Sequence, residues 1–147
     1  MDREEAVEIL IVEDDSRDAE LALRALKRAH LGDRVLVVGD GAEALDFIHS
    51  RGRHAARKAD CPPKVVLLDL RLPGVGGLDV LRELRSLDRM RAVPVVVLTA
   101  SETDPDVTAA YRLGANSYIV KPTDADSFQD AVARLGAYWL LVNQVPA

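Results

Sequence analysis

The chain has a single cysteine, Cys61, among 147 residues, so no intramolecular disulfide can form and a reducing, cytoplasmic compartment is the expectation. Its three histidines, His30, His49 and His54, show neither a paired spacing nor a second cysteine, which argues against zinc. Basic residues are in deficit, 19 Lys and Arg against 24 Asp and Glu for a net charge of −5, so a nucleic-acid surface is not expected. No apolar run has transmembrane length, and Met1-Asp2-Arg3-Glu4-Glu5 lacks the basic and apolar regions of a signal peptide. There is no internal repeat, no low-complexity segment, no glycine-rich dinucleotide fingerprint and no phosphate-binding loop of the nucleotide hydrolases.

What the chain does have is a globular balance, 48% hydrophobic and 29% charged, over a length suited to one domain. It is organised around Val65-Val66-Leu67-Leu68-Asp69-Leu70-Arg71-Leu72-Pro73-Gly74. Four apolar residues in a row read as a strand buried on both faces, and Pro73-Gly74 turns the chain soon after. Asp69 thus falls at the carboxyl end of a central parallel strand, where open α/β sheets place their ligands.

In order, Ile9-Leu10-Ile11-Val12 is a first strand ending in Glu13-Asp14-Asp15. A helix is expected over residues 16–29, with Leu23, Leu26 and alanines as its apolar face. Val35-Leu36-Val37-Val38 is a second strand, and Asp40 with Glu43 has capping-box spacing for a helix over 41–49. Residues 50–63 are polar and basic and read as a long exposed loop. After the central strand come a helix near 78–87, then Val95-Val96-Val97-Leu98 leading to Thr99-Ala100-Ser101. Asp104 and Pro105 should cap and open the next helix, which Gly114 stops. Tyr118-Ile119-Val120 ends at Lys121-Pro122, and Thr123 should cap a last helix reaching about Val142. Five strands alternating with five helices imply an α/β fold, a doubly wound parallel sheet with helices on both faces.

In such a sheet Glu13, Asp14, Asp69, Thr99 and Lys121 converge on one edge. Close carboxylates repel unless a divalent cation or a shifted protonation relieves them, and an oxygen-only set with open positions suits Mg²⁺. A hydroxyl and an ammonium beside them can hold phosphoryl oxygens. Each residue alone has a duller explanation. The acidic triplet could be a helix N-terminus, Thr99 an ordinary strand end, Lys121 a surface lysine and Tyr118 a half-buried aromatic. Their conjunction at equivalent strand ends is what carries the reading.

With these residues in place, the chain resembles a response-regulator receiver domain of two-component signalling over about residues 7–135. The resemblance implies a flavodoxin-like sheet of strand order 2-1-3-4-5, one receiver domain spanning 1–147 with a C-terminal helix extension over about 136–147, and no output domain. It makes Asp69 the phosphoacceptor, receiving a phosphoryl group from a sensor histidine kinase. Asp14 and Asp69 would hold Mg²⁺ directly, Glu13 through water and Arg71 by its backbone carbonyl. Thr99 is then the switch hydroxyl, Tyr118 the switch aromatic, and Lys121 the lysine before a cis bond to Pro122.

The basic 50–63 loop, the Asp69–Gly74 run and Tyr138-Trp139-Leu140-Leu141-Val142-Asn143 are similar to single-domain regulators that partner phytochrome-type kinases. Two departures stand out. Gly76-Gly77 replaces a common Asp-Gly, which suggests a looser loop, and Arg71 is cationic where many relatives carry Asn or Met. Its guanidinium is expected to pair with Glu13 or the phosphoryl group. Signalling would then pass by protein contact or phosphorelay. Tyr138, Trp139, Leu141 and Val142 are expected to support a homodimer through the helix 4–strand 5–helix 5 face. The rival classes are a Mg²⁺-dependent phosphatase with an Asp69 nucleophile and a degenerate receiver acting as a binding module. The first lacks the second acid of haloacid dehalogenase relatives, since Arg71 occupies that position.

Overall fold

The structure, a computed structural model, describes residues 6–57 and 61–146. Five parallel strands, β1 (Ile9–Val12), β2 (Val35–Val38), β3 (Val65–Leu68), β4 (Val95–Thr99) and β5 (Ser117–Val120), form one sheet in the order β2-β1-β3-β4-β5. Ile9 stands level with both Val35 and Val65, and Val12 with Val38 and Leu68, so the ends of β1 and β3 are in step. Between the strands run α1 (Ser16–Arg28), α2 (Gly41–His49), α3 (Gly77–Ser86) and α4 (Asp104–Arg112), with α5 (Ala125–Ala137) after β5.

The continuous apolar runs of β1, β3 and β4 are explained by burial on both faces. Ile9, Ile11, Val65, Leu67, Val96 and Leu98 pack with Leu26, Phe128 and Val132 under α1 and α5. Their alternates Leu10, Val12, Val66 and Leu68 pack with Phe47, Ile48, Leu81 and Leu84 under α2 and α3. On α1 the buried face is Ala19, Ala22, Ala25 and Leu26, while Leu23 lies outside it, 39% exposed. Small residues are needed because α5 approaches closely: a Cβ on Gly136 would lie 2.6 Å from Leu26 Cδ2.

Helix ends differ from expectation by small, explicable amounts. Asp15 caps α1 and Asp40 caps α2, but only half of the second capping box forms. Asp40 Oδ1 accepts from Glu43 N at 2.7 Å, whereas the Glu43 carboxylate accepts from Gly39 N, one residue before the cap, at 3.4 Å and pairs with His54 and Arg53. The cap of α4 is Thr103, one residue before Asp104, and that of α5 is Asp124, which accepts from Ser127 N at 2.8 Å, in place of Thr123. The last helix does not continue regularly to Val142. It widens at Ala137 into a π turn, Tyr138–Val142, closed by Asn143 N donating to Tyr138 O. No cis peptide occurs among the described residues, so the bond before Pro122 is trans, contrary to expectation.

The segment after α2 is folded onto the domain, not extended into solvent. A short turn, Gly52–His54, sets the His54 ring edge-on to Phe47 at 5.5 Å, and the Arg57 guanidinium lies 3.9 Å from the centroid of the same ring. The expected loop also spans residues 58–60, outside the described residues. Gly76-Gly77 is not a slack hinge either. Gly77 is buried, donates to Leu70 O at 3.1 Å, and a Cβ there would collide with Asp69 O and lie 2.6 Å from Leu70 Cα. Among the described residues no helix is long and apolar enough to cross a membrane.

Candidate functional site

The carboxyl ends of β1, β3, β4 and β5 bring together the residues expected there. Glu13 and Asp69 are each only 6% exposed, Thr99 is fully buried, and Asp14 faces solvent beside them. Carboxylate oxygens of Glu13, Asp14 and Asp69 lie within 4.8 Å of one another.

One ammonium holds this cluster together. Lys121 Nζ stands 2.6 Å from Glu13 Oε1, 2.8 Å from Asp18 Oδ2 and 2.9 Å from Asp69 Oδ2. The other Asp69 oxygen, Oδ1, accepts from Thr99 Oγ1 at 2.8 Å and from Arg71 N at 3.0 Å. Both oxygens are therefore fixed, and the carboxylate plane with them. Tyr118, on β5, packs with Leu70, Val97 and Ala110, and its hydroxyl donates to Ser101 O at 2.7 Å.

Protonation follows from this geometry. Burial opposes ionisation of Asp69, but hydrogen bonds from Lys121, Arg71 N and Thr99 outweigh it and hold the carboxyl below its usual range. Burial also dominates at Glu13, and with the neighbouring Asp69 charge it pushes the pKa up to about 7 despite Lys121. Burial would lower Lys121, but its hydrogen bonds to Asp18, Glu13 and Asp69 raise it overall, so the ammonium stays charged. One cation faces three buried or half-buried acids, with Asp14 close by. This surplus of hard oxygen donors, and a glutamate driven toward its neutral form, fit a divalent cation.

Asp18, in the first turn of α1, was not anticipated as a partner of Lys121. The signal was its place three residues after the Asp15 cap, where a helix begun at the end of β1 turns a side chain back toward the strand end. Of the two partners expected for Arg71, Glu13 is not the one it takes. Its guanidinium meets neither Glu13 nor open solvent over Asp69 but Asp106 Oδ2, at 2.5 Å, and Ser101 Oγ at 3.4 Å. At the C-terminal turn, Trp139 and Leu140 pack on the β1–α1–α5 side of the core, while Tyr138, Leu141 and Val142 point outward at 48%, 73% and 71% exposure. Trp139 is thus a core-edge residue stacked edge-on against Tyr138 at 4.9 Å, which corrects its expected place in an exposed patch.

A doubly wound sheet whose strand ends gather an acid pair, an aspartate, a hydroxyl and a lysine defines a phosphorylation-dependent signalling module. The chain belongs to the response regulator receiver domain family, whose profile matches residues 9–133. It is 38% identical over 148 residues to a probable methanogenesis regulatory protein, FilR2, of Methanothrix harundinacea, covering 99% of this chain and 92% of that one. It is also similar to the phosphorylated cyanobacterial phytochrome response regulator RcpA, with TM-score 0.87 and 32% identity over 95% of this chain and 97% of the other. Similar again is the Mn²⁺-bound form of the response regulator Rcp1, with TM-score 0.86 and 32% identity over 95% and 98% of the two chains. The protein named Rcp1 comes from Synechocystis.

Proposed function

We propose that Asp69 accepts a phosphoryl group from a phosphohistidine of a sensor kinase, with Mg²⁺ as the resident cation. The observation that carries this is the double anchoring of the Asp69 carboxylate, Oδ2 by Lys121 and Oδ1 by Thr99 and Arg71 N, which keeps it ionised and aimed. In the step, an Asp69 oxygen bonds to phosphorus as the phosphorus–nitrogen bond to histidine breaks, and the ring keeps the electron pair. Asp14 and Asp69 would hold the cation directly, Glu13 through water, and Arg71 by its backbone carbonyl. When bound, the cation supplies charge neutralisation on the phosphoryl oxygens. Lys121 is placed to hold one of those oxygens, and Thr99 another once it leaves Asp69 Oδ1. Movement of Thr99 opens the space into which Tyr118 turns, shifting the population of the α4–β5–α5 surface.

The phosphatase alternative needs a second acid where Arg71 stands. Likeness to RcpA supports a phytochrome-type kinase as partner, and the single cysteine a cytoplasmic setting. The outward Tyr138, Leu141 and Val142, adjoining α5, support self-association of two copies. Incubation of the full chain with a small phosphodonor and Mg²⁺, read by intact mass, tests the core of the proposal. A single-phosphate adduct absent from Asp69→Asn is expected. Rapid turnover without an adduct points to the phosphatase, and neither adduct nor turnover to a binding module.

A further inference from the structure

One charged contact beside the acid cluster has no role in that reaction. Arg71 begins at the site, its N–H donating to Asp69 Oδ1, but its guanidinium runs outward to helix α4. There it meets Asp106, a first-turn residue whose side chain is only 18% exposed and which also accepts from Ser101 Oγ at 2.5 Å. Ser101 leads back again. Its N–H donates to Thr99 Oγ1 at 3.5 Å, and Thr99 donates to Asp69. The contacts close a ring from Asp69 through Arg71, Asp106, Ser101 and Thr99 to Asp69, with Tyr118 attached at Ser101 O.

Resting on Asp69 as phosphoacceptor, we propose that Asp106 is a positioning residue that holds the Arg71 guanidinium on α4, so that α4 and the phosphoryl group compete for one cation. A phosphoryl group brings up to about two negative charges and three acceptor oxygens, a better match for a planar guanidinium than a lone carboxylate. Arg71 is 66% exposed along its side chain and therefore free to change rotamer. Once it moves, Asp106 keeps Ser101 alone, and the first turn of α4 loses its tie to the β3–α3 loop.

The same competition sets the lifetime of the adduct. In hydrolysis a water oxygen bonds to phosphorus as the bond to the Asp69 oxygen breaks, giving carboxylate, inorganic phosphate and a proton to solvent. Arg71 exchanges no proton in this step; placed over the phosphoryl group it occupies the approach of water. Asp106 shortens the lifetime by keeping Arg71 away.

The test follows decay of the phosphorylated full chain by intact mass after donor removal. Asp106→Asn is expected to decay about threefold more slowly than the parent, the scale of one exposed ion pair. Arg71→Asn should decay faster than the parent, the double variant at the Arg71→Asn rate, and Asp106→Glu at the parent rate. A shift by Asp106→Asn of equal size with and without Arg71, or no shift at all, overturns the proposal alone. A parent that forms no adduct on Asp69 overturns the underlying reaction, and this proposal with it.

Discussion

The Lys121 ammonium lies 2.9 Å from Asp69 Oδ2, although 52 residues separate the two along the chain. The contact exists because β3 and β5 run parallel on either side of β4, so their carboxyl ends reach the same edge. It keeps the Asp69 carboxylate ionised inside a mostly buried site.

Glu13 makes the metal-free protein pH-sensitive in a defined direction. Its folded pKa of about 7 lies above the ordinary 4.5, so the folded state binds its proton more tightly than the unfolded one. That contribution is fully present below about pH 4.5 and is lost as pH rises through about 7. Asp69 is shifted down and Lys121 up, so their contributions are lost only under more acidic and more alkaline conditions respectively. Without metal, thermal unfolding should therefore occur at lower temperature near neutrality than at mildly acidic pH, and Glu13→Gln should flatten the trend. A parent whose stability rises over that window would contradict the assignment.

Metal binding should distinguish the two acids after β1. Asp14→Ala is expected to weaken Mg²⁺ binding by about tenfold or more, and more than Glu13→Ala, because a direct ligand contributes more than one acting through water. Calorimetry is the measurement, since Trp139 packs at the far end of α5 from the acids. Parent-like affinity in Asp14→Ala would remove it from the coordination set.

Arg85 on α3 should matter for stability out of proportion to its charge. Its guanidinium donates to the carbonyls of Gly114, Met90, Arg91 and Val93 and to Asn116 Oδ1, joining α3 to the ends of β4 and β5. Arg85→Met removes this shared donor, leaving Met90 O only its bond from Val93 N and Asn116 Oδ1 only its bond from Val95 N, and should cost about 3 kcal/mol in urea unfolding. Arg82→Met, removing only an exposed pair with Asp79, should cost under about 1 kcal/mol. Equal effects would show that the network holds nothing.

Self-association should depend on the outward side of the C-terminal turn. Leu141→Glu, at a site 73% exposed, should abolish any dimer seen by sedimentation, while leaving the fold intact. Trp139→Ala should instead lower stability, because that ring packs on the core. A dimer that survives Leu141→Glu would place the interface elsewhere.

Much of this architecture is legible in the chain because burial on both faces writes itself as unbroken apolar runs, and parallel strands put every run's last residue on one edge. Glu13, Asp69, Thr99 and Lys121 could be placed together for that reason alone. Asp18 was legible only through its place three residues after the Asp15 cap, and Ser101 and Asp106 were not, because their meeting depends on how the loop after β4 lays the first turn of α4 beside Arg71. The folding of His54 and Arg57 onto Phe47 and the π turn at Tyr138 are likewise tertiary choices, set by what happens to be adjacent and not by local pattern.

The central claim is that Asp69 is the residue phosphorylated. Borohydride reduction of the phosphorylated full chain, followed by peptide mapping, reads the position directly, since an acyl phosphate is reduced where an ordinary carboxylate is not. The account predicts one reduced residue, at Asp69, and none in the Asp69→Asn variant. Reduction at Glu13, Asp14 or any other acid in the parent, with Asp69 unmodified, would contradict it.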